Sequence, residues 1–137
     1  MRYSLLFAAT LLLPACSQRL SAPVTASTSA SPEDTFNCVK QQLSALGYKQ
    51  TSIDVDEHRI NATKIDTKSR RPDTQFRHIL NKMEVEVAAG ANGQTSLQVH
   101  PHTLAEYTTQ RGPTEVEEKE SDELKADTQK LLESCRS

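Results

Sequence analysis

Met83-Glu84-Val85-Glu86-Val87-Ala88-Ala89-Gly90-Ala91-Asn92-Gly93-Gln94-Thr95-Ser96-Leu97-Gln98-Val99 alternates apolar and polar residues on both sides of a glycine-rich turn. Successive side chains of a strand point to opposite faces, so Met83, Val85 and Val87 line one face while Glu84 and Glu86 line the other. Leu97 and Val99 repeat the pattern on the returning arm. Val87 and Leu97 share the buried face only if the connecting loop has an odd number of residues. A three-residue turn over Ala91-Asn92-Gly93, with Gly93 left-handed, meets that condition. The pattern predicts a hairpin of Phe76 to Ala88 and Gln94 to Thr109, with His100-Pro101-His102 opposite Glu84 and Glu86.

Upstream, Thr51 to Val55 alternates with Ile53 and Val55 inward. Asp56-Glu57 turns the chain into a second strand, His58 to Ile65, carrying Ile60 and Ala62. Asp66 to Thr74 reads as a polar loop. Downstream, the apolar phase moves after Pro101 to Leu104 and Tyr107, which predicts a bulge on an edge strand. Gly112-Pro113 reads as a break, and Glu115 to Glu123 as a solvated acidic approach to a helix.

Two helices flank the strands. Ser31 suits the N-cap and Pro32 the first helical position, and Phe36, Val39, Leu43 and Leu46 recur at helical spacing as far as Leu46. Gly47 suits the left-handed position beyond the end, folding Tyr48 back on Leu43. The second helix has Leu124, Thr128, Leu131 and Cys135 on one stripe, with Ser121 favoured over Thr114 as its cap. The predicted fold class is α+β: a two-layer α-β-β-β-β-α arrangement with a four-stranded antiparallel meander and two antiparallel helices on one face.

The N-terminus carries a different signal. Met1-Arg2-Tyr3 is a short basic start, and Ser4 to Leu13 is an apolar run about half the roughly 20 residues needed to span a bilayer. Leu13-Pro14-Ala15-Cys16, which ends that run, resembles the lipobox of bacterial lipoproteins. The resemblance implies cleavage before Cys16, lipid on its sulfur, acylation of the new amine and export. In a cell with two membranes, Ser17 after the cysteine implies an outer-membrane anchor facing the periplasm. From Ser17 to Ser31 the sequence is Ser, Thr, Ala and Pro with few exceptions, which predicts a flexible spacer. The expected organisation is a signal peptide over 1–15, a lipidated cysteine and tether over 16–31, and one domain over 32–137.

With Cys16 assigned to lipid, Cys38 and Cys135 are left as an even pair in an oxidising compartment. The meander brings the start of the first helix and the end of the second to one end of the molecule. A disulfide is therefore predicted, and that end should also carry the tether.

Sixteen basic and eighteen acidic residues give a net charge of -2, and Trp is absent. Such a balance argues against nucleic acid as a partner. Between residues 64 and 82 six basic side chains meet two acidic ones, and Lys68, Arg70, Arg71 and Arg77 form a candidate partner-binding patch. His100, His102 and Glu84 form a candidate site for a borderline metal such as zinc. No nucleophile elbow, phosphate loop or reactive-cysteine context occurs, so no enzyme activity and no cofactor are expected. Gly47-Tyr48 leading into Ile53-Asp54-Val55-Asp56, together with the element order, resembles the small α/β modules of envelope lipoproteins, including the helix-grip domains of barrel-assembly accessory lipoproteins. That resemblance implies a non-catalytic, partner-binding role and assigns no binding residue. The expectation is a monomeric accessory lipoprotein, with a ligand- or metal-binding sensor as the alternative.

Overall fold

A hairpin longer than any other element forms the spine of the sheet. The computed structural model describes residues 20–136, so the leader and Cys16 lie outside the described residues. Among the described residues there are two helices and six strands in one antiparallel sheet. They are β1 (Val24–Thr28), α1 (Pro32–Ala45), β2 (Lys49–Asp54), β3 (Arg59–Asp66), β4 (Phe76–Ala89), β5 (Thr95–Thr109), β6 (Gly112–Glu118) and α2 (Asp122–Cys135). The four-stranded meander is present as β2-β3-β4-β5, and two further strands join its far side. The prediction of four strands is corrected to six.

Both added strands pair with β5, which is long enough to hold them end to end. β1 takes Thr95 to Val99, and β6 takes Thr103 to Thr109. Val24–Thr28 falls in the segment expected to be flexible, where its Val, Thr and Ser content was read as spacer. Thr28 is buried and Ala26 packs on the core, so part of the expected tether belongs to the sheet. Gly112-Pro113, read as a break, opens β6 instead, with Gly112 at φ 107 closing the turn from β5. Glu115, Glu117 and Glu118 are therefore strand residues and not part of a loop.

The register of the spine matches its sequence pattern. Val87 lies opposite Leu97, and Glu84 lies opposite His100. Gly90 N–H donates to the Gln94 carbonyl at 2.6 Å, enclosing the three-residue turn 91–93, in which Gly93 has φ 73. No bulge occurs at Pro101: the β4–β5 register is unbroken from His78 to Ala89, and the irregularity lies between Phe76 and His78. The inward phase stays on odd residues, with Val99, Pro101, Thr103 and Ala105 all buried, while Leu104 faces the opposite side.

The proline is tolerated for a different reason. Thr108 N–H donates to Gln75 on the β4 side, so even residues of β5 direct their main-chain groups to β4 and odd residues direct theirs outward. The missing N–H of Pro101 therefore points outward, at the interval between β1 and β6 where neither strand pairs with it.

β2 begins and ends earlier than predicted, and it forms one edge of the sheet, with β1 and β6 at the other. Ile53 lies opposite buried Ile60 and so faces the helix side, yet it is 48% exposed, and Val55 is 64% exposed, so neither is buried in the core as expected. His58 belongs to the turn before β3, at φ 49, and its ring stacks edge-on against Phe36 at 5.0 Å.

Both helices end as their sequences indicate. Ser31 Oγ accepts from Asp34 N–H and Ser121 Oγ from Leu124 N–H, each at 3.1 Å. At the end of α1, Tyr48 N–H donates to Leu43 and Gly47 N–H to Ser44, with Gly47 at φ 85. This Schellman closure needs a glycine at that φ. The two helices cover one face of the sheet, burying Phe36, Val39, Leu43, Leu124 and Leu131 against Met83, Val85, Val87, Leu97 and Val99. The Cys38–Cys135 disulfide joins them, with Cα atoms 5.7 Å apart.

One orientation is also corrected. The chain enters the sheet at Val24, opposite Val99, about a third of the way along β5, and not at the start of α1.

Candidate functional site

The loop after β3 is built by Asp66. Its carboxylate accepts from the Ser69 hydroxyl at 2.6 Å and from Lys68 N–H at 2.8 Å. These bonds, the hydroxyl first, hold Asp66 below its ordinary range, because they favour the charged form. Arg70 then turns back on its own loop, donating to the carbonyls of Thr67 at 2.5 Å and Ser69 at 3.0 Å.

Arg71 makes the strongest single interaction in the region. Its guanidinium forks onto Glu118 of β6 at 2.5 and 2.6 Å, donates to the Tyr107 hydroxyl at 2.9 Å, and stacks over the Phe76 ring at 4.9 Å. The paired N–H donors match a carboxylate, and so Glu118 sits below the usual carboxylate range while Arg71 is raised. Arg77 donates to the Thr108 hydroxyl at 2.5 Å. Of the four candidate patch residues, then, Arg71 is engaged with its own chain, Arg70 and Arg77 make local bonds, and Lys68 is exposed.

The neighbouring lysines follow the same rule. Lys82 meets Glu115 of β6 at 2.8 Å, and Lys64 meets Glu123 and Asp127 of α2, both at 2.9 Å. Burial opposes the charge of Lys64, but its bonds to Asp127 and Glu123 outweigh that and raise its pKa. Tyr48 donates to Asp127 at 3.1 Å, and burial first, then the Asp127 charge, push its hydroxyl far above the ordinary range. Half of the basic stretch, Lys64, Arg71 and Lys82, is paired with Glu123, Glu118 and Glu115 of the acidic stretch.

The second face of the sheet has no helix packed on it among the described residues. From β3 to β6 it presents Asn61 and Thr63, Lys82, Glu84 and Glu86, then Gln98, His100, His102 and Leu104, then Glu115 and Glu117. His100 and His102 share this face because no bulge separates them. Their surroundings differ, however: His100 faces Glu84, whereas His102 Nδ1 lies 2.8 Å from Glu117. Among the described residues no group of three or more His, Cys, Asp and Glu side chains is placed to hold a metal. The His100, His102 and Glu84 candidate is therefore corrected to a row of polar cross-strand neighbours. A shallow depression of about 410 Å³ on this face is lined by Arg59, Asn61, Glu84, Glu86 and His100.

The sequence reading missed the residues of β6. The alternation Thr114, Val116, Glu118 against Glu115, Glu117 is a strand signal that the charge run concealed. It also missed Asn81, fully buried, whose Oδ1 accepts from Ser121 Oγ at 2.9 Å and Thr103 Oγ1 at 3.2 Å. This network anchors the start of α2 to the sheet, and nothing local in the sequence identifies it. No family model and no curated protein matches this chain.

Proposed function

We propose that the protein is a lipid-anchored accessory component of a bacterial cell envelope that binds a protein partner through the uncovered face of its sheet. The observation that carries this reading is the two-layer arrangement, in which both helices pack on one face and the other presents a broad, mixed polar surface centred on Glu84 and His100. The lipobox resemblance at Leu13 to Cys16 supplies the anchor and the compartment, and the Cys38–Cys135 disulfide suits an oxidising compartment. The basic loop contributes less than its composition suggests, because Arg71 is held by Glu118.

Photo-crosslinking in the native envelope tests this reading. A photoreactive residue at Glu84 or Gln98 should give a discrete protein adduct, while one at Gln129 on α2 should not. No adduct from either sheet position overturns the partner-binding proposal. Labelled palmitate incorporation, lost in Cys16→Ser, tests the anchor separately.

A further inference from the structure

We infer that the flank formed by the start of β1 and the outer side of α2 rests against the bilayer that carries the anchor. This inference depends on the lipid-anchored reading and adds an orientation to it. The decisive observation is that β1 takes up Val24–Thr28, leaving only seven residues between Cys16 and the first strand residue. A flexible segment of that length has a root-mean-square reach of about 15 Å. A domain of about 100 residues has a radius of gyration of about 13 Å. Even fully extended, seven residues reach only about 25 Å, so the flank at which they join the domain is held close to the headgroups.

Val24 joins the sheet on that flank, after Ser21 to Pro23 pass beside His100, His102 and Glu117 at the edge of the uncovered face, and the flank's surface suits the task. Leu20 is 51% exposed and Val24 is 39% exposed, on the very segment that leads to the anchor. Val24 also lines a recess of about 310 Å³ with Leu132 and Thr128, rimmed by Lys125, Gln129 and Glu120. Thr128 is 3% exposed, and its hydroxyl has no hydrogen-bond partner. Apolar side chains at the level of the headgroups with long polar side chains around them match the interfacial boundary of a membrane. With this flank down, the sheet stands with its uncovered face sideways and open to a partner.

Environment-sensitive fluorophores, introduced as unnatural residues in the full chain, test the orientation. They are placed singly at Val24, at Gln129 and, as a reference, at Thr67. The processed protein is reconstituted in vesicles of phosphatidylethanolamine and phosphatidylglycerol that contain a lipid-borne quencher. Several-fold stronger quenching at Val24 and Gln129 than at Thr67 is expected. A Gly/Ser insertion between Arg19 and Leu20, long enough to let the domain swing free, should abolish the difference. Equal quenching at all three positions in protein that has partitioned into the vesicles overturns the docking proposal and leaves the anchor intact. If wild-type protein fails to partition, and Cys16→Ser behaves identically, the lipid-anchored reading itself fails, and the docking proposal with it.

Discussion

Arg71 shows how a residue chosen for its charge can turn out to be structural. Its fork to Glu118, its bond to Tyr107 and its stacking on Phe76 tie the 66–75 loop to β5 and β6. Charge-assisted bonds of this kind contribute about 1–3 kcal/mol, so Arg71→Ala should cost about 1–2 kcal/mol in urea denaturation and raise amide exchange in the loop. The same pair sets an acid limit. Glu118 and Asp66 are depressed in the fold below the unfolded values of about 4.3 and 3.9, so their contribution is complete above those values and is lost as pH falls through the folded ones. Stability measured from pH 5 downward should therefore decline, and the decline should be shallower in Arg71→Ala, in which Glu118 has lost its partner. Asn81 is the second residue that carries more than its type suggests. Asn81→Ala leaves Ser121 and Thr103 without their shared acceptor in a buried place and should cost about 1–3 kcal/mol, read from the midpoint of chemical denaturation.

At the scale of elements, β1 and β6 decide how β5 is used. They cover two separate stretches of its outer edge, and Pro101 lies in the interval, where its absent N–H leaves no ladder bond unmade. Odd residues of β5 point outward, so Ala26, opposite Leu97, is the central one of three β1 residues whose N–H groups reach across to β5. Ala26→Pro removes that donor and should cost at least about 1 kcal/mol, with loss of exchange protection across β1. The variant should also release Val24–Thr28 from the sheet and weaken the proposed orientation at the membrane. Thr25→Pro is the useful comparison, since position 25 does not donate to β5 and should be tolerated better.

For the molecule as a whole, the disulfide is the main covalent constraint, closing a loop of 97 residues in sequence separation. In the chain-entropy account a loop of that size is worth up to about 4–5 kcal/mol. Cys38→Ala with Cys135→Ala should lower stability by several kcal/mol, measured as a fall in melting temperature, while the far-UV spectrum of any folded fraction is retained.

Several features were determined by the sequence alone. These are the two helices with their Ser31, Ser121 and Gly47 signals, the β4–β5 register, the cysteine pairing and the α+β class, because each depends on local periodicity or on residues with narrow conformational preferences. Only the tertiary structure decided the rest. A five-residue strand such as Val24–Thr28 has no stability of its own and exists because β5 offers it an edge. Ile53 and Val55 alternate as an inward strand does, yet they lie on an edge that the helices do not cover. The acidic and basic stretches carry no partner information in sequence, since a charge reads the same whether it meets solvent, another molecule or its own chain. The fold brought Glu118, Glu115 and Glu123 to Arg71, Lys82 and Lys64, and so took Arg71 out of the candidate binding patch and into internal contacts.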